Sequence, residues 1–253
     1  MRLVLFVIFL SILINPVIAC AEDVLVYAGA GLMKPMEELV QGFEQKHNLE
    51  ISLHYGGSGE LFGLMSMGKP CDVFIPGATR YTDKALEKGW IMEKSIKKVV
   101  KHIPVIAVPT DNPAGISSLD DLAKPGIKMA LGDPKACAIG NLSVKILKKN
   151  GIYDKVRQNT KVFSPTVNQL LLYISATQVD AAIIWKDLIT WKKGGKNTEM
   201  VQIDHEKNII KAIPTAVTSN ARKNKKAHLF NSYIASDNSM EIWKKWGFER
   251  CRK

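Results

Sequence analysis

Short apolar runs that close on glycine and hand over to helix-spaced apolar positions recur along the chain. Val24-Leu25-Val26-Tyr27 is a β-branched run ending in Ala28-Gly29-Ala30-Gly31. From Leu32 to Gln45 the residues Leu32, Met36, Leu39, Val40 and Phe43 then share one helix face. The pattern predicts strand, glycine turn, helix. It repeats with the alternating stretch Leu49 to Tyr55, the turn Gly56-Gly57-Ser58-Gly59 and a helix over Glu60 to Met67. A third unit joins the short strand Asp72 to Ile75, the break Pro76-Gly77 and a helix over Tyr81 to Lys88. Alternation of this kind predicts parallel βαβ units.

Ile103 to Val108 reads as a further apolar strand, after which the loop from Pro109 to Gly115 and the capped start Ser117 to Leu122 open a second lobe. Within that lobe Lys128 to Leu131 and Ala181 to Trp185 predict strands, and Ile139 to Asn150 and Val167 to Ala176 predict helices. Ile209 to Thr218 reads as a late strand, and two helices fill Lys226 to Trp246. Composition never shifts sharply along the chain, so crossing strands rather than a flexible tether are expected to join the lobes.

Length and composition fit this picture: 253 residues with 46% hydrophobic and 23% charged positions suffice for one or two substantial cores and exclude a disordered chain. The net charge of +11 is spread through pairs such as Lys97-Lys98, Lys148-Lys149 and Lys192-Lys193, with no long basic block. That distribution describes a solvated basic surface, and no nucleic-acid partner is expected. Arg2, the apolar run Leu3 to Ile14 and the stretch Val17-Ile18-Ala19-Cys20 form the n-region, h-region and cleavage site of a secretory signal. The run is too short for the ~20 residues that span a bilayer. Export is therefore expected, and Val17 to Cys20 resembles the bacterial lipobox, which makes Cys20 a candidate lipid anchor. Beyond it, Cys71, Cys137 and Cys251 lack CxxC spacing. Cys71 and Cys137 read as small buried hydrophobes, and a Cys71–Cys251 disulfide is conceivable in an exported chain.

Candidate chemistry lies in the turns. A strand that ends in small residues and feeds a helix leaves backbone N–H groups free at the helix N-terminus, where the macrodipole also favours an anion. Three such turns occur, at Gly29-Ala30-Gly31, Gly57-Ser58-Gly59 and Ala138-Ile139-Gly140. Nucleotide fingerprints fail, because Lys34 and Phe62 occupy the third glycine positions and no GxxxxGK[ST] exists. Neither GxSxG nor HExxH is present, and His47, His54, His102, His205 and His228 lack metal spacing, so they read as surface or packing histidines and no enzyme activity is expected.

The order and spacing of Val24 to Leu32, Tyr55 to Leu61, Asp72 to Ile75, Gly132-Asp133-Pro134 through Gly140, and Val167 followed by Asp180 to Trp185 resemble the periplasmic molybdate-binding proteins over nearly all of residues 24 to 250. The resemblance implies a two-lobed α/β fold of the type II periplasmic-binding class, each lobe a mostly parallel sheet flanked by helices. It also implies a tetrahedral oxyanion, molybdate or tungstate, in the cleft, no cofactor, and a monomer that serves the membrane permease of an ABC importer. The implied division is a signal peptide at 1–19, one lobe from 20–103 with 215–253, and a second from 104–214. Carried over by position, the family's serines fall on Gly31 and Ser58, its backbone donors on Ile139 and Val167, and its tyrosine on Trp185. Gly31 lacks the hydroxyl and Trp185 offers an indole N–H instead of an O–H, which leaves room for another ligand such as sulfate, a metal ion or a small organic acid. A cation or organic-acid receptor would need Glu60, Asp72 or Cys137 to face the cleft.

Overall fold

A computed structural model describes residues 24–191 and 195–251. The signal segment and Cys20 lie outside the described residues, as do Lys192 and Lys193. Among the described residues no helix is long and apolar enough to cross a membrane.

The first unit forms as its pattern predicts. Strand β1 (Val24–Gly29) is buried on both faces. Val24, Val26 and Ala28 belong to one apolar cluster with Leu32, Met36, Leu39, Val40 and Phe43, whereas Tyr27 belongs to a second with Leu61 and Phe74. Such two-sided burial is why the strand reads as a continuous apolar run rather than an alternating one. Helix α1 (Met33–His47) ends where Asn48 turns left-handed at φ 50°, its N–H donating to Glu44 O. Strand β2 (Ile51–Gly56), helix α2 (Ser58–Ser66), strand β3 (Val73–Ile75) and helix α3 (Thr79–Glu87) complete the βαβ run, with β2, β1 and β3 paired in parallel.

Strand β4 (Lys97–His102) leaves this sheet and, after Ile103 alone, continues as β5 (Pro104–Pro109) in another. The second lobe then builds β6 (Met129–Gly132), α4 (Ala138–Lys149), α5 (Tyr153–Asn159), β7 (Thr160–Ser164), α6 (Val167–Ser175), β8 (Ala181–Trp185) and β9 (Thr198–Val201). The chain returns through β10 (Lys211–Val217) to the first sheet, and α7 (Lys225–Ile234), α8 (Asp237–Lys245) and β11 (Glu249–Arg250) close it. Strand orders are β11-β4-β10-β3-β1-β2 and β7-β6-β8-β5-β9. The expected crossing strands are present, and they make both sheets mixed. β10 runs antiparallel to β3 and β4, and β5 antiparallel to β8 and β9, around parallel cores. Residues 211–214 pair with β4 in the first sheet.

Two local expectations change. Cys71, Cys137 and Cys251 are all free, so the conceivable Cys71–Cys251 disulfide is absent. The capped start at Ser117 leads into a short 3-10 turn, Asp120–Ala123, rather than a longer helix. There the Asp121 carboxylate folds back to accept from the N–H and Oγ of both Ser117 and Ser118 at 2.9–3.0 Å. With Lys124 Nζ 2.7 Å away as the largest cause, these donors hold the Asp121 carboxyl well below the usual range. A depressed folded value means the stabilisation is full above the unfolded value of ~3.9 and is lost as pH falls towards the folded one. Asp121→Asn is therefore expected to lower stability at neutral pH by about 1–3 kcal/mol. The gap to wild type should shrink in acid, as read by urea unfolding at neutral and acidic pH; a gap that widens in acid contradicts the assignment.

Candidate functional site

Four helix starts converge where the lobes meet. One is the 3-10 turn Ala30–Leu32 leading into α1, and the others open α2 at Ser58, α4 at Ala138 and α6 at Val167. First-turn N–H groups have no partner within their own helix, and each dipole presents its positive end there. Between them is a small cavity of about 20 Å³, whose lining includes Gly31, Ser58, Gly77, His102, Val167 and Trp185. No Asp, Glu, Lys or Arg is among its lining residues.

Sequence and packing explain how the backbones come so near. Gly57 has an ordinary φ of −62°, so the turn does not need glycine for its conformation. It needs glycine for space. A Cβ on Gly57 would lie 2.6 Å from Ala136 O and 2.7 Å from Pro165 O, and one on Gly59 would lie 2.0 Å from Lys135 O. Gly59 N–H donates to Ala136 O at 2.9 Å across the lobes, and Asn168 Nδ2 donates to Ala30 O at 3.1 Å. The start of α2 is tied internally as well, since Glu60 Oε2 accepts from Gly57 N–H at 3.1 Å. Asp72 is committed likewise, accepting from Leu25 N–H at 2.8 Å.

Of the residues singled out from sequence, the structure brings Gly31, Ser58, Val167 and Trp185 to the cavity. Ile139 is not among the lining residues. It is fully buried at the second position of α4, and its neighbour Ala138 takes the place at the wall. The Ile139 and Gly140 N–H groups bear on the Cys137 sulfur. Cys137 does line the cavity, but burial pushes its thiol up to about 11, so it stays neutral. Ser58 is 3% exposed, and its Oγ accepts from Gly77 N–H at 3.0 Å. With one lone pair so engaged, its O–H remains available to donate. At Gly31 the space a hydroxymethyl group would need is filled, with Val167 Cγ1 3.1 Å and Trp185 Cδ1 3.6 Å from the position of a Cβ.

Sequence reading missed His102, Gly77 and Asp187. His102 is no surface residue: it is 1% exposed at the cavity wall, and its ring stacks on Trp185 with centroids 3.4 Å apart and planes 15° apart. Burial pushes its imidazole down to about 3, which leaves it neutral. No local signal was available, because Lys97–His102 reads as a lysine-rich stretch and only its pairing with β10 and β11 makes it the strand that carries His102 to the cavity.

The chain matches the bacterial extracellular solute-binding protein family over residues 24–249. It belongs to that family. This solute-binding protein is 33% identical over 164 residues to a Haemophilus influenzae protein named only as a binding protein, covering 65% of this chain and 66% of that one. It is 28% identical over 222 residues to a candidate ABC transporter substrate-binding lipoprotein of Bacillus subtilis, YvgL, covering 87% and 84% of the two chains. Identity to the molybdate-binding protein ModA of Rhodobacter capsulatus is 21% over 231 residues, 91% and 89% of the chains. In fold it is similar to the periplasmic molybdate-binding protein of Azotobacter vinelandii, with a TM-score of 0.77 at 16% identity, covering 90% and 100%. The sulfate-binding protein SubI of Mycobacterium tuberculosis gives 0.78 at 17%, covering 90% and 86%. The two-lobed type II architecture is common to them, and the solute-binding protein sets its cavity at the junction of its lobes.

A Gly59→Ala substitution in this solute-binding protein would drive a methyl group into Lys135 O and hold the lobes apart. Small-angle scattering should report a more open average shape, with secondary structure retained by circular dichroism; an unchanged scattering profile would show that the turn yields instead.

Proposed function

We propose that this chain is the receptor of an ABC importer for a fully ionised tetrahedral oxyanion, with molybdate or tungstate as its solute. The observation that carries the reading is a small cavity where four helix starts meet and no charged side chain lines the wall. Neutral donors bind a dianion well: hydrogen bonds to a charged group contribute about 1.5–3 kcal/mol each, and no buried countercharge has to be desolvated. A wall of donors also disfavours hydrogen phosphate, whose own proton would lack an acceptor. In this reading Ser58 donates from its hydroxyl, Gly31, Ala138 and Val167 contribute backbone N–H groups, and Trp185 closes the wall, while the Ile139 N–H that the resemblance implied as a donor is directed to the Cys137 sulfur. The commitment of Glu60 and Asp72 to backbone N–H groups argues against a cation as solute.

Sulfate is the second reading, and the crowding at Gly31 supports it. Val167 and Trp185 fill the place where the family's first serine would reach, which leaves less room there for the larger oxyanions. In either case the lobes pivot at Ile103 and at residues 202–210, close over the solute and present the closed form to a membrane permease. The notional lobe limits of 20–103 with 215–253 and 104–214 then shift to put all of β10 in the first lobe. Cys20 is the proposed lipid anchor on the outer face of the membrane, and the receptor acts as a monomer.

A thermal-shift series on the mature chain with molybdate, tungstate, sulfate and phosphate tests this, because ligand at ~1,000 times Kd adds about 4 kcal/mol of stability. Shifts with molybdate and tungstate alone support the first reading, a shift with sulfate alone the second, and silence from all four would sink both. Ser58→Ala is expected to weaken the responding anion by ~1.5–3 kcal/mol in calorimetry; unchanged affinity would remove Ser58 from the site. Restoring the hydroxyl with Gly31→Ser requires Val167 to give way by a few tenths of an ångström. If it does, affinity rises; a loss means that the crowding governs the choice of solute.

A further inference from the structure

His102 sits at the end of β4, one residue before the chain enters the other lobe, and everything around it is specified. Its Nδ1 lies 2.8 Å from Gly77 O. A carbonyl oxygen has no proton to give, so Nδ1 carries the hydrogen and donates it. Gly77 in turn donates its own N–H to Ser58 Oγ at 3.0 Å. Both polar groups of one glycine are thus fixed, the first by the imidazole and the second by the hydroxyl that faces the cavity. Gly77 has no room to drift: a Cβ there would meet Ala138 Cβ at 3.2 Å, Ser58 Oγ at 3.4 Å and His102 Cε1 at 3.5 Å. On its far side, His102 Nε2 points at Asp187 Oδ1, 3.6 Å away, and Asp187 is 2% exposed. Among the described residues neither His102 Nε2 nor Asp187 Oδ2 has a hydrogen-bond partner.

We propose that His102 is a positioning residue that aims the Ser58 hydroxyl at the solute through Gly77, and that the buried carboxyl of Asp187 fixes His102 in the ring orientation that does so. Once Ser58 Oγ accepts the Gly77 N–H, the favourable direction left for its O–H is into the cavity, so the hydroxyl is set as a donor before any anion arrives. Losing the imidazole N–H frees the Gly77 peptide to rotate and lets the hydroxyl turn away. Asp187 serves in its neutral form. Burial pushes its carboxyl well above the usual carboxylate range and keeps the imidazole neutral, so across 3.6 Å a protonated carboxyl faces the lone pair of Nε2. The couple therefore holds the ring without adding net charge behind an anion site. The proposal rests on reading Ser58 as a solute donor.

The test is a double-mutant cycle on the full mature chain, using calorimetry with molybdate, tungstate, sulfate and phosphate. His102→Phe keeps a ring against Trp185 and removes the donor. It is expected to weaken the responding anion roughly 10- to 100-fold, as Ser58→Ala does. The double variant should bind no worse than Ser58→Ala alone, since His102 acts only through that hydroxyl. Asp187→Leu, which leaves nothing polar facing Nε2, is expected to weaken the same anion, and Asp187→Asn, whose amide can donate to Nε2, to restore it; wild-type affinity in Asp187→Leu removes Asp187 from the relay. Full additivity of the two single losses, or wild-type affinity in His102→Phe, overturns the proposal. Imidazole ¹⁵N spectra of the unliganded wild type decide the matter even if His102→Phe does not fold or if none of the four anions binds, an outcome that would sink the oxyanion reading alone. A His102 proton on Nδ1, with a Gly77 amide signal that moves in Ser58→Ala, supports the relay; a neutral ring protonated on Nε2 overturns it.

Discussion

The structure turns on how closely two backbones can pass where the lobes meet. The first turn of α2 lies against the chain at residues 135–136 and at Pro165, and any side chain at Gly57 or Gly59 would collide with carbonyl oxygens there. Because nothing intervenes, helix starts from both lobes reach a single small cavity. Wider spacing would let in water and lower the value of each donor, since hydrogen bonds to an ion are strongest where the local dielectric is low.

A second constraint supports the first. The two lobes are joined by β4 running into β5 through Ile103 and by the return from β9 to β10, so their approach is set by strands embedded in both sheets. Side chains at these crossings reinforce the alignment: His102 of the first sheet stacks on Trp185 of the second, and Glu249 takes Lys101 from its own lobe and Lys186 from the other, each at 3.1 Å. The ion pairs are partly exposed and contribute little individually. The stacked rings are buried and form part of the cavity wall, which ties the geometry of the crossing to that of the site.

Much of this was legible from residue order. The β1–turn–α1 unit carries its apolar positions at helical spacing, and the strand Ala181–Trp185 is an unbroken apolar run, so local pattern sufficed. Lys97–His102 was not legible as a strand, because only Val99 and Val100 are apolar in a lysine-rich stretch, and it exists through pairing with β10 and β11. Helix α5 anchors a single buried residue, Val156, and leaves almost no periodic signal. At the site, Ser58 and the glycines announced themselves as turns between strand and helix. Gly77, His102 and Asp187 meet only because β3, β4 and the segment after β8 are brought together by sheet pairing, and separations of 25 and 85 residues along the chain carry no local trace of that.

The charge of +11 and the uncharged cavity belong to separate sets of residues. A diffuse positive field acts at long range on every anion, whereas selection among solutes falls to the contacts of a cavity wall. Arrival and discrimination are therefore independently adjustable. A surface lysine can change without moving an atom of the wall, and a substitution in the wall leaves the long-range field as it was.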